Sequence, residues 1–102
     1  MSTTTAVSYM QTTEARIQEL AKSFPLLRNN SFVVNWDPTK LDEWAASVAS
    51  HGELFATQFV LSVWNQFEEW KCGRFDTVKA FQVWDGGHWE AFLNWAADPF
   101  VL

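Results

Sequence analysis

Cysteine is nearly absent from this chain: Cys72 stands alone among 102 residues. One thiol excludes an internal disulfide framework and fits a reducing compartment, so a cytoplasmic location is expected. Glycine and proline are scarce too, at four and three residues. Neither a G-x-G-x-x-G run nor a Walker loop is present to cradle a phosphate. Cations are few, seven Lys and Arg against twelve Asp and Glu, for a formal charge of −5. An acidic globule lacks the electrostatic footprint that phosphate backbones require, so no direct nucleic-acid binding is expected. With two histidines and no C-x-x-C or H-E-x-x-H spacing, neither a metal site nor a cofactor is expected. The start shows no basic, then apolar, secretory signal. No apolar run is long enough to cross a bilayer, so no membrane partner is expected.

Aromatic rings are what the chain has in excess: seven Trp and nine Phe against one Tyr. Each buries roughly 150–250 Å², so a few large side chains can hold together the modest core of a chain this size. The charge is uneven. Residues 1–36 balance at +1 and residues 37–102 at −6.

The reading is all-α, a small orthogonal bundle of about five helices around a central buried helix at 50–65. Ser50 and Glu53 make a capping box at its start. Between Glu53 and Glu68 no charge occurs, and a helix apolar nearly all round is a buried one. Residues 1–11 are polar and aperiodic and read as a mobile tail, leaving 12–102 as a single helical domain.

A first helix begins at Thr12 or Thr13 and buries Ile17, Leu20, Ala21 and Phe24, spaced i, i+3, i+4, i+7. Pro25 stops it. The run Phe32–Trp36 is β-prone but has no partner strand, so it reads as an extended connector. Asp37-Pro38 starts a second helix, with Trp36 and Leu41 as a hydrophobic staple. Its buried stripe is Leu41, Trp44, Ala45, Val48 and Ala49, with Asp42, Glu43 and Ser47 facing away. Asp76 caps a fourth helix bearing Val78, Phe81 and Trp84. Asp85 caps a fifth whose stripe is Trp89, Phe92, Leu93 and Ala96, with Trp95 off it. The second and fifth helices match at an offset of 48 residues, Trp36-Asp37 against Trp84-Asp85. Well-capped amphipathic helices converge on this pattern, and two copies fall short of a solenoid.

No active site emerges. Lys71 and Arg74 flank Cys72 and would favour its thiolate, but His51 and His88 are the only bases and no nucleophile signature surrounds it. Asp37, Asp76 and Asp85 are accounted for as caps. The expectation is therefore a non-enzymatic interaction module, binding a protein partner or a second copy. Its surface would be an aromatic patch with a charged rim: Phe67, Glu68, Glu69, Trp70, Lys71, Arg74, Phe75, Glu90 and Trp95. Two other classes remain open. An acidic nucleic-acid mimic would need its acids on one face, and a small-molecule binder would need an aromatic-lined cavity.

Overall fold

Helix α4 (His51–Trp64) is the element against which three of the others pack. In this computed structural model, which describes the backbone from residue 2 and side chains from residue 13, α4 packs against α1 (Ser2–Ser23), α3 (Pro38–Ser47) and α5 (Thr77–Val83). A one-turn α2 (Ser31–Val34) and a final α6 (Gly86–Ala97) complete the bundle. No strand occurs among the described residues.

The hub is capped as its sequence requires. Ser50 Oγ accepts from Glu53 N, and Glu53 Oε1 accepts in return from Ser50 N at 2.8 Å. Ala56 to Leu61 are all buried, a full turn and a half with no solvent-facing side. The central buried helix is therefore present, and it ends at Trp64 without extending towards Trp70.

The expected start of the first helix, Thr12 or Thr13, falls inside α1, and the expectation of a mobile tail at 1–11 lies outside the residues with described side chains. Ile17, Leu20, Ala21 and Phe24 are buried as spaced. Leu27, in the turn after Pro25, is fully buried beside them.

Phe32–Trp36 is not an extended connector. Asn30 Oδ1 accepts from Phe32 N at 2.8 Å and caps a helical turn there. Gln18 of α1 holds the far end, its Nε2 donating to the carbonyls of Val33 and Val34. A local cap and one long-range amide outweigh the β preference of the residues between.

The stripes of the later helices are also rotated from their expected positions. On α3, Val48 is 72 % exposed, whereas Asp42 is only 5 % exposed. On α5, Val78 and Phe81 face solvent, and Ala80 is the one buried residue. On α6, Leu93 is exposed. The inner face there is His88, Ala91, Phe92 and Trp95, so Trp95 is on the stripe rather than off it. The second staple does form, with Trp84 and Trp89 ring centroids 5.2 Å apart.

His88 explains how α6 docks. Its ring is 2 % exposed, against Phe24 and Trp84. Nδ1–H donates to Asp85 Oδ1 at 2.8 Å, and Nε2 accepts from Leu26 N at 3.4 Å, which assigns the tautomer. Gly87 lies against Pro25, where a Cβ would sit 3.1 Å from the proline Cγ. A side chain at 87 would require Pro25 to give by a few tenths of an ångström.

Candidate functional site

The segment between α4 and α5 is a loop with no regular structure, yet it is tied at many points. Asn65 begins it: the side-chain Oδ1 accepts from Phe67 N and the carbonyl from Trp70 Nε1, both at 3.1 Å. An Asx turn of this kind replaces the helical bonds lost after Trp64.

Asp42 holds the centre of the loop. Its two carboxylate oxygens accept from Lys71 N and Cys72 N, each at 2.9 Å. From the other side, Gln58 Nε2 of α4 donates to Cys72 O at 2.6 Å. Gly73 then turns the chain with φ +91°, the one positive φ among the described residues. A side chain there would be strained and would press on Gln58 Nε2 at 3.3 Å. Phe75 closes the loop by stacking on Trp84 at 5.5 Å and meeting Phe59 edge-on at 5.3 Å.

What these ties leave outward is the tip. Phe67 is 88 % exposed, the most exposed large apolar residue described. Glu68, Glu69, Lys71 and Arg74 are exposed around it in sequence. Lys71 Nζ approaches Glu43 at 3.6 Å, a surface pair worth little. Between the loop and α4 lies a cleft of about 280 Å³, lined by Trp70, Phe75, Glu68, Arg74 and the amides of Asn65 and Gln66.

Seven of the nine expected site residues thus share one loop: Phe67, Glu68, Glu69, Trp70, Lys71, Arg74 and Phe75. The other two do not join it. Trp95 is half-buried and packed on the core against Phe59, its Nε1 donating to Phe100 O at 3.0 Å. It lines a separate groove of about 320 Å³ with Arg16 and Glu19 of α1. Glu90 is exposed beside Pro25 and Arg28. Phe59 touches both Phe75 and Trp95 and stands between them. Trp70 and Phe75 are half-buried and packed on the core, so only Phe67 is wholly free.

Two positioning residues, Asp42 and Gln58, escaped sequence reasoning. Gln58 left a trace, as an amide in a helix otherwise destined for burial. Asp42 left none, since an acid next to Glu43 looks like solvated surface.

The one thiol of the loop is not activated. Burial and the neighbouring Asp42 carboxylate push the Cys72 thiol up to about 12, the reverse of the activation expected from Lys71 and Arg74. No three metal-ligating side chains converge among the described residues. Asp37, Asp42, Glu53, Asp76 and Asp85 all accept backbone N–H groups, and Asp42 does so from inside. Among the described residues no helix is long and apolar enough to cross a membrane. The chain matches no protein-family profile, no curated protein and no solved structure.

Proposed function

We propose that this chain is a non-enzymatic interaction module of the cytoplasm that captures a protein partner on the loop 66–75. One observation carries the reading: a phenyl ring 88 % exposed at the tip of a loop whose base is tied by buried side chains. Left in water, Phe67 contributes nothing to folding. Held in place in advance, it can enter a partner's pocket without the ordering cost a free loop would incur. Trp70 and Phe75 floor the adjacent cleft, and Arg74 and Glu68 on its lining fix orientation. Glu68, Glu69 and Glu43 outnumber the cations of this surface, so the partner segment is basic with an apolar anchor.

The test compares wild type with Phe67→Ala. Capture from an extract of the native host should give one stoichiometric partner with wild type. With that partner purified, Phe67→Ala should weaken binding by about thirtyfold or more, the loss typical of a hot spot. Stability should stay within about 0.5 kcal/mol, as for an exposed substitution. Equal binding by both proteins would rule out the loop as the recognition surface.

A further inference from the structure

We propose that the cleft between α4 and the loop takes the terminal carboxamide of an Asn or Gln side chain on the partner segment. The proposal rests on loop 66–75 being the recognition surface, and it names what enters the cleft. Its ground is Gln58, a side chain only 8 % exposed that lines this cleft. Gln58 Nε2 donates to Cys72 O at 2.6 Å, so turning the amide over would set oxygen against oxygen. That leaves Oε1 as the free end. No donor among the described residues reaches it, yet it is not sealed in the interior. An acceptor on a buried side chain, open to a cleft and unpartnered within the chain, calls for a donor from outside.

Asn65, on the same lining, offers the reciprocal group. Its Oδ1 is occupied by Phe67 N at 3.1 Å, which fixes this amide too and leaves Nδ2 as the spare donor. Ser62 Oγ, also on the lining, gives its proton to Phe59 O at 2.7 Å and can only accept. The spare groups are therefore acceptors on Gln58 and Ser62 and a donor on Asn65. A primary carboxamide, with two N–H donors and one carbonyl, answers all of them. An ammonium or guanidinium head has no acceptor for Asn65, and a carboxylate has no donor for Gln58.

Charge and shape agree with this occupant. Glu68 and Arg74 stand on the lining with opposite signs, so the cleft favours a neutral head over an ion. Trp70 and Phe75 supply ring faces against which a flat amide can lie. Both rings are held in advance, Trp70 through its Nε1 on Asn65 O and Phe75 against Trp84 and Phe59. At about 280 Å³ the cleft has room for a side chain. Pockets for whole small molecules start higher, at roughly 300 Å³.

The test needs no partner. Its probes are N-acetylglutamine methylamide and the matching compounds of methionine and glutamate, which share their backbone amides and differ only at the side-chain end. In NMR titrations of the intact labelled chain, the glutamine compound should move the side-chain amide signals of Gln58 and Asn65 and the Trp70 indole signal. The methionine and glutamate compounds should bind about tenfold more weakly. Asn65→Asp keeps the oxygen that Phe67 N needs and removes the Nδ2 donor. It should weaken the glutamine compound about tenfold with an unchanged helical spectrum. Phe67→Ala should leave that binding unchanged, so the cleft is read separately from the anchor. If partner capture survives Phe67→Ala while the glutamine compound still binds, the anchor fails and the chemistry of the cleft stands. Equal binding of the three compounds, no binding of the glutamine compound, or binding indifferent to Asn65→Asp overturns the proposal.

Discussion

Asp42 is a carboxylate at 5 % exposure with both oxygens engaged by main-chain donors. Bonds to a charged acceptor are the stronger kind, and their loss strands two donors in the interior. Asp42→Ala should therefore cost about 3 kcal/mol in urea denaturation, and Asp42→Asn, which keeps one acceptor, about half that. The same side chain controls its neighbour's reactivity. With the Cys72 thiol held at about 12, native protein near neutral pH should alkylate at least about a hundredfold more slowly than unfolded chain. Asp42→Asn should raise the native rate, because a carboxylate that disfavours the thiolate is gone. Unchanged alkylation would mean that burial alone protects the sulfur.

For single elements, the starts of α3 to α6 and the buried face of α1 were legible, and the faces of α5 and α6 were not. Asp37, Ser50, Asp76 and Asp85 all cap the helices their sequences announce, because a cap is settled by residues within four positions of one another. The inner face of α6 was misread because Glu90 and Asn94 mark only one side of it, and the rest is apolar with nothing local to sort Leu93 outward from Trp95 inward. His88 is held inside by Leu26 N, 62 residues away in sequence. Asp85 shows the cap at work. Its bonds from the His88 ring and backbone hold its carboxyl below the ordinary 3.8. A folded-state value below the unfolded one stabilises above pH 3.8, and the contribution is lost as pH falls through the lower folded value. Thermal melts from about pH 5 to pH 2 should show a shallower acid loss in Asp85→Asn than in wild type. Equal slopes would remove Asp85 from the acid transition.

On the scale of the whole molecule, Phe59 of the hub joins a ring network that runs on through Trp84, Phe92 and Trp89, while Trp36 and Trp64 pair separately. Phe59 meets Phe24, Phe75, Phe92 and Trp95 edge-to-face at 5.0 to 5.7 Å. It thereby joins α1, the loop and α6 to the hub. Phe59→Ala should cost about 4 kcal/mol, a large part of the stability of a chain with one small core. Loss of cooperative unfolding, read by tryptophan fluorescence and circular dichroism together, is the expected result. The contrast with Phe67→Ala, a ring removed from water, should be complete.

By itself, the sequence determined the class and the scaffold. A charge-free, well-capped stretch from Ser50 to Trp64 can satisfy its apolar surface only by being surrounded, and short capped helices on either side are what surround it. It also placed seven of the candidate binding residues on one loop, because they are contiguous. The tertiary structure decided what each ring does. Trp95 was packed on the core and Phe81 left at the surface, although both lie in apolar helices, since a ring's burial depends on which helix lies over it. It decided too that Asp42 and Gln58 would fix the loop, because the partners of a buried polar group lie across the fold, at separations that no local pattern of residues encodes.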